Sequence, residues 1–138
     1  MLRYILVSLI SGVLFGVMDA MLHANPLAQQ LYQAYQPIAK TSVNALAGIA
    51  IDLAYGFILA AIFLLLYKSL PGKSGIAKGV SYAFIAWFFR VVMSAASTYV
   101  MYEVPVQTIL YSLAAGLIEM LILGLLYGLT LKPGNSAD

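Results

Sequence analysis

Four long apolar stretches constrain this chain more than any motif does. They lie near Tyr4–Leu22, Val43–Tyr67, Ala77–Met101 and Val106–Leu131. A hydrocarbon layer about 30 Å thick requires roughly 20 helical residues, so each stretch is long enough to cross it. An open strand would leave backbone N–H and C=O groups unpaired in lipid, and the stretches lack the alternation of a barrel strand. The sequence therefore predicts an all-α integral membrane four-helix bundle, folded as one domain over residues 1–138.

Composition agrees with a membrane protein and disfavours several other classes. Hydrophobic residues make up 63% of the chain and charged residues only 9%, whereas soluble domains carry about a quarter charged residues. Seven basic and five acidic side chains are too few and too scattered for a nucleic-acid surface. The chain has no cysteine and a single histidine, so we expect neither a metal site nor a cofactor built from its own residues.

The basic residues orient the predicted bundle. Five of them flank one side: Arg3, Lys68, Lys73, Lys78 and Lys132. The other side carries only Lys40, against Glu103. Because basic loops stay on the cytoplasmic side, we expect both termini in the cytoplasm. The predicted location is the plasma membrane, the inner membrane of a bacterium or archaeon, where the chain is a multi-pass protein.

The connection between the first two spans predicts a short amphipathic helix near residues 26–36. Asn25 and Pro26 form a good helix start, and Pro37 gives a stop. One side is apolar and the other carries four glutamines; the apolar residues are Leu27, Leu31, Tyr35 and Ile38. Two placements fit this pattern: a helix on the outer membrane surface, and a helix that packs over the end of the bundle.

Three ionisable residues lie at similar depth inside the spans: Asp52, Arg90 and Glu119. Small residues flank each of them at helical spacing, so their side chains should point into the bundle. A bare arginine at mid-membrane costs about 3 kcal/mol or more and does not readily lose its proton, so Arg90 requires a counter-charge. We therefore predict a buried charge network in which Glu119 or Asp52 pairs with Arg90.

A second polar pair, Asp19 and His23, stands four residues apart on one face of the first helix, near its outer end. No activated nucleophile, metal-ligand cluster or phosphate cradle accompanies these residues in the sequence. We therefore expect no catalytic residues and no enzymatic activity.

Glycines repeat at a spacing of four in three spans, at Gly12 and Gly16, Gly75 and Gly79, and Gly124 and Gly128. This spacing predicts helix faces that approach one another closely, because glycine has no side chain to hold two backbones apart.

Two functions fit the predicted charge network. In the first, the protein is a structural or accessory membrane subunit, and the network fixes which helices are neighbours or holds a partner helix. In the second, it is a homo-oligomeric proton- or cation-linked transporter or channel for a small solute. The expected partners are the lipid bilayer and either another membrane protein or further copies of the chain.

Overall fold

The computed structural model describes residues 1–133, and the regular structure in these residues is entirely helical. The helices are α1 (Leu2–Ala24), α2 (Pro26–Leu31), α3 (Ala45–Leu66), α4 (Gly75–Trp87), α5 (Met93–Met101) and α6 (Val106–Thr130). A π-helical turn (Phe88–Val92) joins α4 to α5, so together they form one continuous span. Four helices are long and apolar enough to cross a membrane. The predicted all-helical fold with four spans is confirmed, with bounds that differ by a few residues.

The segment between the first two spans begins as predicted but ends differently. The Asn25 side chain accepts a hydrogen bond from the Ala28 amide at 2.9 Å, and Pro26 takes the first helical position. The α-helix stops at Leu31, and Tyr32–Ile38 forms a 3₁₀ helix that contains Pro37. Proline lacks an amide proton and disfavours α geometry in the residue before it, which accounts for the tighter last turns.

Three side-chain hydrogen bonds tie this connecting segment to α6. The Asn25 amide donates to the Tyr111 hydroxyl at 2.7 Å. The Tyr32 hydroxyl is 2.9 Å from the Ser112 hydroxyl, and the Thr108 hydroxyl donates to the Leu31 carbonyl, also at 2.9 Å. Leu27 and Ile38 remain 56% and 65% exposed. The segment therefore packs across one end of the bundle and still presents part of its apolar face outward.

Glycine contacts arrange the four spans as two pairs, α1 with α3 and α4 with α6. Gly75 and Gly79 of α4 face Gly124 and Gly128 of α6 so closely that a Cβ on any of the four would strike backbone atoms of the other helix. Gly12 plays the same part between α1 and α3. The predicted close approach at these glycines is confirmed. The two pairs meet mainly where α1 packs on α6, and α3 and α4 touch little.

The packed core occupies one half of the bundle. The half that carries Met1, residues 67–74 and Leu131 is called the terminal half, and the other the opposite half. An aromatic cluster of Phe63, Tyr82 and Tyr127, each at most 2% exposed, fills the terminal half. In the opposite half, α5 has no fully buried residue, and every buried residue of α3 lies at or beyond Gly56. The helices therefore diverge there and leave room for a cavity.

Candidate functional site

A polar cavity of about 390 Å³ lies in the opposite half, between the spans and beneath the 3₁₀ helix. Its polar and aromatic walls are contributed by Asp19, His23, Tyr32, Tyr35, Tyr55, Arg90, Ser94, Thr98, Ser112 and Glu119. Every span and the connecting segment supply at least one of them. Four of the five ionisable residues singled out in the sequence therefore meet at one cavity.

The π-helical turn places Arg90 at the cavity wall. The Met93 amide bonds to the Phe88 carbonyl, five residues back, which widens the helix around Arg90. Just before the turn, the Trp87 indole donates to the Leu113 carbonyl at 2.9 Å and holds this span against α6. Single π turns occur often at functional sites because they redirect side chains.

Two aromatic rings cover the guanidinium group of Arg90. Its central carbon lies 4.6 Å from the centre of the Phe15 ring and 5.1 Å from the centre of the Tyr55 ring. Such contacts stabilise a cation by about 0.5–2 kcal/mol, more when water is excluded.

Arg90 and Glu119 form a loose ion pair. Nη1 of Arg90 lies 3.6 Å from Oε2 of Glu119, and the two side chains are 27% and 5% exposed. This distance is longer than a hydrogen bond between a nitrogen and an oxygen. Among residues 1–133, Nε of Arg90 and Oε1 of Glu119 are buried without any hydrogen-bond partner. The pair balances its charges but leaves most of its hydrogen-bonding capacity unused.

Asp52 lies outside this pair. Its carboxylate rests against Gly16 of α1, with Oδ2 only 2.6 Å from the place a Cβ on that glycine would occupy. In the part of the chain that the structure describes, no basic group comes within 4 Å of Asp52. Of the two acids proposed from the sequence as partners for Arg90, the structure therefore brings only Glu119 into ion-pair distance.

Asp19 and His23 lie at the mouth of the same cavity, each with its side chain 46% exposed. Nδ1 of His23 donates to the Asp19 carbonyl at 2.8 Å and is 3.3 Å from Oδ1 of the same residue. The imidazole ring also packs on Tyr32, with ring centres 4.9 Å apart. The sequence placed this pair near the outer end of the first helix without linking it to the Arg90 cavity.

The site contains aromatic side chains that were not among the residues predicted from the sequence. Phe15 and Tyr55 each lie one helical turn from an acid, at Asp19 and Asp52, and that spacing is the available signal. Tyr32 belongs to a segment whose pattern predicts only a surface or capping helix. Burial raises the pKa of the Tyr32 phenol above its usual value, so this wall of the cavity is a neutral donor and acceptor.

A second, more open cavity of about 410 Å³ adjoins the first on the side of the 3₁₀ helix. His23 and Tyr32 line both cavities, and three glutamines complete the second: Gln29, Gln33 and Gln36. A polar route therefore leads from the surface of the opposite half to the mouth of the Arg90 cavity.

The cavity brings a guanidinium, two carboxylates, an imidazole and several hydroxyl groups together. Within residues 1–133, no group of three or more histidine, cysteine or acidic side chains is placed to hold a metal ion. No protein-family model, curated protein sequence or solved structure matches this chain. The four apolar spans are those of a multi-pass membrane protein in contact with lipid, and the cavity provides the basis for a more specific function.

Proposed function

We propose that this chain is a small non-enzymatic membrane protein that binds a small polar solute beside Arg90 and Glu119 and carries it across the membrane with proton or cation coupling. The loose ion pair carries this proposal. A buried ion pair that serves only architecture needs its remaining donors and acceptors satisfied to offset the cost of desolvation. Here the 3.6 Å separation and the unpartnered Nε and Oε1 atoms border a cavity that a solute can enter.

The closed terminal half supports a transporter over an open channel. Phe63, Tyr82 and Tyr127 are not among the residues that line the cavity. They are at most 2% exposed and pack on one another in the terminal half, where the Tyr82 hydroxyl donates to the Leu59 carbonyl at 2.7 Å. A solute would therefore reach the other side only after this half rearranges, as in carriers whose site is exposed alternately to each side. Four helices enclose little room, so we propose that the working form is a homo-oligomer.

Asp52 supports a second candidate, an accessory subunit. It stands about 10 Å along α3 from Ala45, taking 1.5 Å per residue, and it is only partly buried. A carboxylate at membrane depth without a cation is costly. A basic residue on the helix of a partner protein would compensate it, and the network would then serve assembly.

Purification and uptake measurements on one preparation separate the two candidates. The chain is purified from native membranes in mild detergent, reconstituted into proteoliposomes, and exposed in turn to radiolabelled amino acids, carboxylates, amines and sugars. We expect uptake of at least one class, which Arg90→Gln removes and the matched control Arg3→Gln keeps. No uptake of any class, together with a stoichiometric partner released by Asp52→Asn, would establish the accessory candidate instead.

The proposed orientation, with both termini in the cytoplasm, is supported by five basic residues on one side against one on the other. Because the chain contains no cysteine, single cysteines can be labelled without background. In whole cells, an impermeant maleimide should label Ser42→Cys and leave Ser69→Cys unlabelled until the membrane is opened. Labelling of Ser69→Cys without labelling of Ser42→Cys in whole cells would show that the orientation is the opposite of the one proposed.

A further inference from the structure

We infer that the solute bound in the Arg90 cavity is a small organic carboxylate, and that Glu119 competes with it for the guanidinium, so that binding takes up one proton. The inference rests on the proposed function, since it names the solute class of the same cavity. The unpartnered donors of the guanidinium and the position of Glu119 support it.

The guanidinium keeps hydrogen-bond donors that the protein does not use. The Phe15 and Tyr55 rings that lie beside it are aromatic faces and supply no conventional acceptor for its N–H groups. Guanidinium has five N–H donors, and in residues 1–133 none of them donates to an acceptor within hydrogen-bond distance. Nε alone is fully buried, so Nη1 and Nη2 retain access to the cavity. Two parallel N–H groups in one plane match the two oxygens of a carboxylate.

The remaining walls suit a small organic acid. A volume of about 390 Å³ holds a carboxylate with a short aliphatic or single-ring body. Val91, Ala95 and Ile109 form the apolar part of the lining, while Ser94 and Ser112 bring hydroxyl groups. The solute therefore has one anionic end for Arg90 and a compact body that is partly apolar.

Charged and titratable groups face Arg90 from each neighbouring element. They are Asp19 and His23 from α1, Tyr32 and Tyr35 from the 3₁₀ helix, Tyr55 and the more distant Asp52 from α3, and Glu119 from α6. Of the acids in residues 1–133, Glu119 alone lies within 4 Å of the guanidinium. An anion can therefore pair with Arg90 only if the Glu119 carboxylate moves away or is protonated.

Competition for one guanidinium links binding to a proton. Two carboxylates side by side repel one another, so an arriving anion favours protonation of Glu119. The exchange balances: the ion pair of Arg90 and Glu119, one proton and the solute carboxylate become a solute–Arg90 pair and a neutral Glu119. Neutral Glu119 then holds a hydroxyl that can donate to the solute. The charge of the proton cancels that of the carboxylate, so the step brings no net charge into the cavity.

Three probes of one shape test the solute class: benzoate, benzamide and benzylamine. Binding to the full-length protein is measured by titration calorimetry in phosphatidylcholine nanodiscs, in buffers of different ionisation enthalpy, which reports the protons exchanged. Benzoate makes charge-assisted hydrogen bonds to the guanidinium that neutral benzamide cannot match, so it should bind at least about tenfold more tightly than benzamide. It should take up one proton, and benzylamine should not compete with it.

Variants assign the roles. Arg90→Gln should abolish saturable benzoate binding, and Arg3→Gln should leave it unchanged. Glu119→Gln keeps the shape of the side chain and tests the inference independently if Arg90→Gln fails to fold. This variant should retain or tighten benzoate binding and reduce proton uptake to zero. Its matched control, Glu103→Gln at an exposed turn, should behave like the parent protein.

The results separate this inference from the proposed function. Saturable, Arg90-dependent binding of benzylamine without binding of benzoate would overturn the carboxylate assignment and leave solute binding intact. Proton uptake that persists in Glu119→Gln would overturn the competition. Saturable, Arg90-dependent binding of a short-chain phosphatidylglycerol that excludes benzoate would show that a lipid phosphate takes the site, and would also overturn it. If no probe binds and no solute class is taken up, the proposed function falls as well.

Discussion

The contact between α4 and α6 makes a strong prediction at Gly79. A Cβ added there would strike the carbonyl of Gly124 and lie 3.2 Å from the Cα of Gly128. These are backbone atoms, which cannot rotate away as a side chain would. Gly79→Ala must therefore push the two helices apart along a contact that Gly75 also shares.

The size of the effect follows from a matched substitution. Gly48→Ala places the same methyl group where nothing lies within 4 Å. Both substitutions favour the helix by about 0.5–1 kcal/mol through backbone entropy. Subtracting one from the other removes this shared gain and leaves the steric cost, about 1–3 kcal/mol for overpacking a tight contact. Gly48→Ala should stabilise the protein slightly, and Gly79→Ala should destabilise it.

Reversible unfolding in mixed micelles of dodecyl sulfate and a mild detergent measures the difference. Far-UV circular dichroism follows the helices, and fluorescence follows Trp87, the single tryptophan, which is bonded to α6. A separation of about 1.4 kcal/mol changes the folded-to-unfolded ratio tenfold, well within such an assay. If Gly79→Ala and Gly48→Ala unfolded at the same detergent fraction, the close α4–α6 contact would be refuted.

Three further predictions test other contacts. Tyr127→Phe removes a buried hydroxyl with no partner among the described residues and should leave the free energy of unfolding unchanged or raise it. Tyr82→Phe breaks a hydrogen bond to an α3 carbonyl and should lower the free energy of unfolding by about 1 kcal/mol. Equal losses in the two variants would contradict this. Asn25→Ala removes a helix cap that contributes about 1 kcal/mol to helix stability. Hydrogen exchange followed by mass spectrometry should show faster amide exchange across residues 25–38, and an unchanged rate would argue against the cap. Gly116→Ala brings a Cβ within 2.6 Å of the Val91 side chain and should lower the free energy of unfolding. Val91→Ala should offset part of this loss in a double-mutant cycle, with a coupling energy of about 1 kcal/mol. Additive effects would show that the two side chains do not touch.

The spans were predictable because length and hydropathy alone decide them in lipid. The position of Asn25 before Pro26 also sufficed to predict the start of α2. The end of that helix was harder, since Pro37 signals a stop without specifying the 3₁₀ turns that precede it. Local signals therefore fix where helices begin more sharply than how they finish.

Depth along a span and rotation about its axis carry different information. The sequence places Asp52, Arg90 and Glu119 at one depth, yet only Glu119 lies beside Arg90. Rotation depends on helix packing, and Asp52 turns toward Gly16 because α1 and α3 meet there. Asp19 and His23 reach the same cavity for a similar reason, since α1 also packs on α6.

The π-helical turn had no sequence signal, because Phe88–Val92 is an ordinary apolar run apart from its arginine. A π turn amounts to one additional residue in an α-helix, and one residue corresponds to a rotation of about 100°. Deleting a single codon within the turn would therefore restore α geometry and swing Ser94 and Thr98 away from the cavity, while leaving α4 in its groove on α6. Gain or loss of one residue at this joint would therefore exchange the part of the cavity wall that α5 supplies in one event, without altering the interface that holds α4 in place.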